Sequence, residues 1–259
     1  MSDRLRRDHP QSARDWVLFA DSDWVWEIWG QPRHSVQSGE SGTVKAHHVP
    51  YFEYVSQSNP GAGESFTRAL EFYSRMQGPI VAAKYDFSAA RRLCDIGGGS
   101  AILLADVLQL HTGVTGVLFE LPQMLDAARA NISARGLADR CEFVGGDFFE
   151  SVPGGCDHYM MQAVLHDWDD QACIQILGNV RTSMPAGARL LVIEALLETE
   201  SERTNGLLRA IDLLMLVLTG SGRERTKPQF EALFKSAGFE LTRDLTLPSL
   251  AHVFELSPS

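Results

Sequence analysis

The sequence has little positive charge for its size and lacks the long apolar runs of membrane proteins. Its 259 residues include 23 lysine and arginine residues against 33 aspartate and glutamate residues, a formal net charge of −10. This balance argues against nucleic acid or an anionic membrane as the main partner, since both are negatively charged. No apolar run approaches the roughly 20 residues that cross a bilayer, and the N-terminus lacks the apolar core of a signal peptide. We therefore expect a cytoplasmic protein.

Cysteine is scarce and scattered along the chain. The four cysteines are Cys94, Cys141, Cys156 and Cys173. They form no C-x-x-C pair, and no histidine–cysteine cluster has the spacing of a zinc site. This usage is typical of reduced thiols in a cytosolic protein. Nothing groups the eight histidines into a metal site either, so we expect no metal.

The pattern of hydrophobic residues changes near residue 90. Before it, the chain is mostly helical with breaks, and a helix within residues 61–78 is bounded by Asn59-Pro60-Gly61 and Gly78-Pro79. After it, strands alternate with helices, which is typical of βαβ units. The length fits one α/β domain with an appendage, or two small domains. We predict a helical segment at residues 1–88 and an α/β domain at residues 89–259.

A glycine turn follows the first predicted strand. Glycine at positions 97–99 lets the backbone approach a ligand closely. A dinucleotide fingerprint would also need glycine at position 102, where the chain has Ile102. This disfavours a nicotinamide oxidoreductase. A cofactor without a pyrophosphate, such as S-adenosylmethionine, and a tight turn without any ligand both remain open.

Two carboxylates follow the next two predicted strands. Glu120 lies roughly 20 residues beyond the glycine turn, where an acidic residue can accept hydrogen bonds from both ribose hydroxyls. Asp147 can accept a hydrogen bond from an adenine amino group while Phe148 covers the ring face. Each carboxylate alone is equally compatible with a solvated or turn residue. Three strand ends that each carry a group suited to an adenosyl ligand together predict a site at this edge of the sheet.

A histidine follows the fourth predicted strand. His166 lies in Leu-His-Asp-Trp-Asp-Asp, at the edge of the sheet where the ligand would bind. A neutral imidazole can remove the proton of a phenol, whose pKa is about 10, as the oxygen begins its attack. Glu194, which ends the next strand, or Glu224 could orient the imidazole. The alternatives are a packed loop histidine and, for Glu224, a surface charge.

Seven short segments, taken together, indicate a protein family more specifically than any one of them does alone. They are DIGGGS, FELPQ, GGDFFES, LHDWDD, LLVIEALL, IDLLML and GRERTKPQFEALFKSAGF. Together they resemble the small-molecule O-methyltransferases of the caffeate type and of actinobacterial polyketide tailoring, from about Trp16 to the C-terminus. The resemblance implies an α/β, Rossmann-like class I methyltransferase fold, with a mostly parallel seven-stranded sheet and helices on both faces. It also implies S-adenosylmethionine as cofactor, S-adenosylhomocysteine as product and no metal.

The resemblance also implies roles for individual residues. The implied cofactor contacts are Asp95, Gly97, Gly99, Glu120, Leu121, Gly146, Asp147, Phe148 and Gln162. His166 is implied as the general base, with Glu194 and Glu224 flanking it. The implied contacts of the methyl acceptor are Phe52, Trp168, Asp212 and Met215.

The chain departs from the family pattern at three places. Ala101 stands where a glycine is usual, and Gln162 stands where a lysine often precedes the histidine by four positions. Members usually begin with a winged-helix dimerisation domain, and this chain starts near the end of that domain. A homodimer is therefore left open as an expectation.

The expected function is methylation of a hydroxyl on an aromatic or polyketide-like secondary metabolite, as in antibiotic biosynthesis. Two alternatives keep the fold and the cofactor. One is non-methylating chemistry, such as decarboxylation, hydroxylation or a pericyclic step, that uses the charge of bound S-adenosylmethionine. The other is a partner subunit that binds the cofactor without catalysis.

Overall fold

The structure is a computed structural model that describes residues 2–9, 11–197 and 202–259. The chain folds into two compact units. The first unit comprises Met1–Met76, His166–Asp169 and Thr199–Glu224. The second unit comprises Gln77–Leu165, Asp170–Glu198 and Arg225–Ser259.

The helices are described in chain order. They are α1 (Arg14–Ala20), α2 (Asp23–Trp29), α3 (Pro32–Ser38), α4 (Gly42–His47), α5 (Tyr51–Glu53), α6 (Pro60–Lys84), α7 (Ile102–Leu110), α8 (Leu125–Ala134), α9 (Asp170–Ser183), α10 (Glu202–Thr219) and α11 (Lys227–Ser236). Short 3₁₀ turns lie at Ser2–Leu5, Pro122–Met124, Ala138–Arg140 and Leu165–Asp167, and a π turn lies at Tyr54–Ser58.

The second unit is built on one seven-stranded sheet. Its strands are β1 (Arg92–Ile96), β2 (Thr115–Glu120), β3 (Cys141–Gly145), β4 (His158–Gln162), β5 (Arg189–Ala195), β6 (Phe239–Thr246) and β7 (Ala251–Pro258). The spatial order is β3-β2-β1-β4-β5-β7-β6. Strands β1 to β5 pair in parallel, and β7 is antiparallel to both of its neighbours. The predicted mostly parallel seven-stranded sheet is confirmed.

Helices cover both faces of this sheet. The connections through α7 and α8 step from β1 toward β3, whereas the connection through α9 steps from β4 toward β5. Right-handed crossovers that run in opposite directions place their helices on opposite faces. On one face, Leu104 of α7 shares a buried core with Leu118 of β2 and Met160 of β4. On the other face, the ring of Phe230 of α11 packs at a tilt against that of Phe254 of β7, with ring centroids 5.1 Å apart.

The first unit is helical and has its own apolar core. Tyr51, Tyr54 and Met215 are buried in this core. Its α4 is tied to the end of α10, because Thr43 Oγ1 donates a hydrogen bond to Leu218 O at 2.7 Å. The last carbonyls of a helix have no partner within the helix, so this side chain satisfies one of them.

Helix α6 continues through a position where the sequence predicted a break. The break expected at Gly78-Pro79 is wrong, because α6 is continuous from Pro60 to Lys84. Pro79 removes one backbone donor from the helix, but Val81 and Ala82 just beyond it are buried in the sheet core. Burial of these side chains offsets the lost hydrogen bond. Gly78 instead serves close packing, because a Cβ atom there would collide with the carboxylate of Asp106 on α7.

Gly78→Ala is therefore expected to destabilise the protein, although alanine is the better helix former. Asp106 also pairs with Arg135, so its carboxylate has little room to move away. We expect a loss of about 1–3 kcal/mol in the free energy of unfolding. Gly178→Ala in α9 is the matched control, since a Cβ atom there meets nothing within 4 Å. It should gain up to about 1 kcal/mol. Urea unfolding of both variants tests this, and a gain in both would contradict the packing argument.

Candidate active site

The glycine turn after β1 has a strongly constrained backbone. Gly97, Gly99 and Ala101 all adopt left-handed conformations, with φ of 66°, 54° and 57°. Glycine takes such angles without steric cost, whereas a non-glycine residue such as Ala101 is strained by about 1 kcal/mol or more. Gly98 is required for a different reason, since a Cβ atom there would lie 2.5 Å from Asp95 Oδ2. The turn therefore lies directly over the carboxylate of Asp95 in β1.

Asp95 is a buried carboxyl group that none of the described residues satisfies. It is 1% exposed, and neither of its oxygens has a hydrogen-bond partner among the residues that the structure describes. Burial, assisted by the negative charge of Glu120, raises the pKa of Asp95 to about 8. A buried unpaired carboxyl group is costly, and a ligand that brings a positive charge or a hydrogen-bond donor would remove that cost.

Glu120 ends β2 beside the same turn. Its Oε2 accepts a hydrogen bond from Gly99 N at 2.9 Å, and its Oε1 accepts one from Leu121 N at 2.7 Å. The parallel register pairs Ile96 with Phe119, so the carboxyl ends of β1 and β2 lie side by side. Burial raises the pKa of Glu120 despite these two amides. Leu121 beside it is 41% exposed, so apolar surface adjoins the carboxylate.

The loop after β3 packs closely against the end of β2. Gly146 donates its N–H to Glu120 O at 3.1 Å, and a Cβ atom at Gly146 would lie 2.5 Å from the ring of Phe119. Asp147 follows and forms an Asx turn, in which its Oδ1 accepts from Phe149 N at 2.8 Å. Only glycine at 146 lets the loop come this close to β2.

The ring of Phe148 lies next to the glycine turn. A Cβ atom at Gly97 would be 3.7 Å from Phe148 Cε1. The backbone of this loop is held by Asn179 of α9, whose Nδ2 donates to the carbonyl oxygens of Phe148 and Phe149, both at 2.9 Å. Asn179 thus supports the loop, and sequence reasoning missed it because a helical asparagine gives no signal of its own.

The loop after β4 is shaped by Glu194 of β5. Glu194 is 1% exposed, and its Oε1 accepts hydrogen bonds from Val164 N at 3.0 Å and Leu165 N at 2.7 Å. Gln162 ends β4, and its Nε2 is buried without a partner among the described residues. Glu194 therefore holds the backbone that leads directly into His166.

The predicted cofactor residues and Glu194 all belong to the second unit, where they lie at or just beyond the carboxyl ends of β1 to β5. The set combines an unsatisfied buried carboxylate, a second carboxylate, an unpaired amide, an aromatic ring and an exposed leucine. It fits a ligand that carries a positive charge, several hydrogen-bond donors and a flat apolar ring.

His166 and Glu224 form a hydrogen-bonded pair in the first unit. His166 Nδ1 lies 3.0 Å from Glu224 Oε1, and the side chain of Glu224 is 2% exposed. A carboxylate can only accept, so Nδ1 carries the hydrogen in this bond and Nε2 of the neutral ring carries a lone pair. Asp167 Oδ1 lies 3.6 Å from Nε2. Burial raises the pKa of Asp167 to about 6, although His166 opposes the shift.

Backbone contacts fix this pair in place. Glu224 N donates to Asp212 Oδ1 at 2.8 Å, and Arg223 N donates to His166 O at 2.8 Å. A Cβ atom at Gly222 would lie 2.6 Å from His166 O. Asp212, predicted as an acceptor contact, thus holds the segment that carries Glu224.

The remaining acceptor candidates lie in the same unit as the pair. Phe52 stacks on Trp168 with ring centroids 5.2 Å apart, and Met215 is buried in the helical core that Phe52 packs against. The first unit therefore combines a histidine–carboxylate pair with an aromatic surface.

Arg225 is a further residue that sequence reasoning missed. It is fully buried, its Nη1 donates to Leu165 O at 2.8 Å, and its Nε donates to Asp170 Oδ1 at 3.0 Å. The residues that it contacts lie just before and just after the segment His166–Asp169 in the chain. In the sequence it is one of two arginines beside Glu224, and only the fold distinguishes them.

Two kinds of feature are absent from the part of the chain that the structure describes. Residues 2–9, 11–197 and 202–259 contain no group of three or more histidine, cysteine, aspartate or glutamate side chains that could hold a metal ion. None of the helices within these ranges combines the length and the apolar character needed to cross a membrane.

The order and directions of the seven strands are those of the methyltransferase fold. Residues 29–240 match the family described as the O-methyltransferase domain, and the chain belongs to this family. It is 41% identical over 227 residues to the mitomycin biosynthesis 6-O-methyltransferase of Streptomyces lavendulae, covering 88% of this chain and 64% of that protein. It is 37% identical over 254 residues to the phenazine O-methyltransferase PhzM of Lysobacter antibioticus, covering 98% of this chain and 73% of that protein.

The chain is also similar in structure to solved O-methyltransferases. The mitomycin 7-O-methyltransferase MmcR superposes with a TM-score of 0.93 at 37% identity, covering all of this chain and 75% of that one. The neocarzinostatin-pathway O-methyltransferase NcsB1, crystallised with S-adenosylmethionine and 2-hydroxy-5-methyl naphthoic acid, superposes with a TM-score of 0.88 at 28% identity, covering all of this chain and 76% of that one. The chain thus spans about two thirds to three quarters of the length of these proteins.

Asp95→Asn is expected to change how stability depends on pH. The pKa of Asp95 is about 8 in the folded protein against an ordinary value of 3.8. The folded state holds this proton more tightly than the unfolded chain, so Asp95 lowers the free energy of unfolding as the pH rises between about 4 and 8. The asparagine variant should lack this decline.

Chemical unfolding at pH values near 5 and near 8 measures the effect. The exposed Glu150 supplies the control, because Glu150→Gln should follow the wild-type pH dependence. If Asp95→Asn also followed the wild type, the carboxyl group would not be held protonated by burial.

Proposed function

We propose that this chain is an S-adenosylmethionine-dependent O-methyltransferase that acts on a hydroxyl of an aromatic or polyketide-like small molecule. The observation that carries the proposal is the hydrogen-bonded His166–Glu224 pair, whose carboxylate is buried, in the same unit as the stacked rings of Phe52 and Trp168. Family membership supports it. So do the two relatives, one named for mitomycin biosynthesis and one for phenazine methylation.

The second unit would hold the cofactor. Asp95 fits the ammonium group, because its buried oxygens need a positively charged donor. Glu120 fits the ribose hydroxyls, and Leu121 and Phe148 offer apolar surface for the adenine ring. When bound, S-adenosylmethionine supplies a methyl group that its sulfonium charge has already activated. The S-adenosylmethionine complex of NcsB1 supports this assignment for a protein of the same fold.

His166 would act as the general base. Its Nδ1–H is held by Glu224, so Nε2 can take the proton from the acceptor's hydroxyl as the oxygen attacks. The imidazolium ion that forms is stabilised by the negative charge of Glu224. Asp167 lies on the Nε2 side of the ring and adds a second carboxyl group there.

Glu194 would be a positioning residue. Its carboxylate binds the amides of Val164 and Leu165, the two residues that precede His166. It would therefore fix the backbone directly before His166 without touching the reacting atoms.

His166→Ala is expected to lower kcat by about 10²–10⁴-fold and to leave the Kd for S-adenosylmethionine nearly unchanged, since the cofactor residues lie in the other unit. Glu224→Gln should lower kcat by at least about tenfold, because the amide lacks the charge that stabilises the imidazolium. The measurement is methyl transfer to a panel of phenols, naphthols and phenazinols, read by mass spectrometry, with calorimetry for cofactor binding.

The pair His34–Glu40, in which the Glu40 side chain is exposed, supplies the matched control, because it joins the same two residue types at 3.3 Å in the same unit. His34→Ala should leave turnover unchanged. Normal methylation by His166→Ala would overturn the base assignment. A product that changes its skeleton without gaining a methyl group would favour non-methylating chemistry instead.

A further inference from the structure

The hydroxyl of Tyr51 is a buried polar group without a partner among the described residues of the first unit. Tyr51 begins α5 and is 3% exposed. Its ring packs edge-on against Phe52 and Phe66, with centroids 5.4 Å and 5.3 Å away. Its Oη has no hydrogen-bond partner among the residues that the structure describes. Because a buried unpaired hydroxyl is costly and rare, it calls for an explanation in this protein.

The neighbouring Tyr54 shows that the same unit can satisfy a buried tyrosine. Tyr54 lies three residues further on and is 8% exposed. Its Oη accepts a hydrogen bond from Asn59 Nδ2 at 2.9 Å, and Asn59 Oδ1 in turn accepts from Ala62 N at 3.1 Å. The two tyrosines share one apolar core but differ in whether the protein completes their hydrogen bonding.

A chain of aromatic contacts runs from Tyr51 to the segment that carries His166. Phe52, which contacts the Tyr51 ring, also stacks on Trp168, and Trp168 lies two residues after His166. Burial and the negative charge of Asp167 raise the pKa of the Tyr51 hydroxyl well above its usual value. The hydroxyl therefore stays protonated and acts as a hydrogen-bond donor.

We propose that Tyr51 is a specificity-determining residue whose hydroxyl donates a hydrogen bond to a second, uncharged oxygen of the methyl acceptor. This inference rests on the proposed function and narrows its substrate class to aromatic compounds with at least two oxygens, such as diols or hydroxyquinones. The carboxyl groups of Asp167 and Glu224 disfavour an anionic oxygen near the base. A site with a donor left unpaired rejects an analogue that lacks the matching oxygen.

The test compares Tyr51→Phe with Tyr54→Phe as the matched control. Each variant and the wild type are assayed with naphthalenediols and with the naphthols that lack the second hydroxyl. For the wild type, kcat/KM should favour at least one diol over its naphthol. In Tyr51→Phe this preference should fall by about tenfold, the effect of one neutral hydrogen bond, with little change for the naphthol. Tyr54→Phe should keep the wild-type preference.

Thermal unfolding separates recognition from a purely structural role. Without ligand, Tyr51→Phe should raise Tm, because it removes an unsatisfied hydroxyl, whereas Tyr54→Phe should not. With a saturating diol, the rise in Tm that the ligand causes should be smaller in Tyr51→Phe than in the wild type. An unchanged diol preference together with an unchanged ligand-induced shift would overturn the inference.

Failure of the proposed function gives a different result. In that case the wild type would methylate none of the compounds. Calorimetry of diol and naphthol binding would still test Tyr51, since binding needs no turnover. A diol preference that Tyr51→Phe abolishes would support the inference, and equal binding of both compounds by the wild type would contradict it.

Discussion

The hydrogen bond between His166 and Glu224 is the interaction on which the account of this protein depends. A carboxylate that is 2% exposed is costly unless it is paired, and the imidazole Nδ1 at 3.0 Å provides the partner. The local structure serves this bond. Asp212 binds the backbone of Glu224, and Gly222 lets the turn that carries Glu224 approach His166 O. Because Nδ1 is committed to the carboxylate, the other ring nitrogen is the one that can take a proton.

In the second unit, the parallel pairing of strands brings residues that are distant in the sequence to one edge of the sheet. Strands β1, β2 and β3 end in register, so Asp95, Glu120 and the loop of Asp147 meet at one edge although a helix and its connections separate successive strands in the sequence. The price of this arrangement is the burial of Asp95, whose raised pKa records how unfavourable its charge is there. A site that is unfavourable when empty of positive charge is suited to a cationic ligand.

Much of the fold could be predicted from the sequence, because βαβ units have strong local signals. The alternation of strands and helices expected beyond residue 90 is present, for example in β1, β4 and α9. Thr226 and Gln229, which have capping-box spacing in the sequence, form a capping box at the start of α11. The prediction of a helix break at Gly78-Pro79 was wrong. Local propensity carries no information about the burial of Val81 and Ala82 against a sheet that is distant in the sequence.

The site was less predictable, because its decisive contacts join residues far apart in sequence. His166 could be predicted from its place after the fourth strand, but the sequence left both Glu194 and Glu224 as candidates to orient it, with a surface charge as the alternative for Glu224. The structure places Glu224 on Nδ1 and gives Glu194 the amides before the histidine. The unsatisfied hydroxyl of Tyr51 and the buried contacts of Arg225 depend on packing, which single-sequence patterns do not encode.

Nitrogen NMR of the protein labelled in its histidine rings measures which ring nitrogen of His166 carries the hydrogen, with His166 assigned by comparison with a variant that lacks it. We predict that the neutral His166 ring carries its hydrogen on Nδ1, and that Glu224→Gln weakens or removes this preference. A neutral ring with its hydrogen on Nε2, unaffected by the change at Glu224, would contradict this prediction.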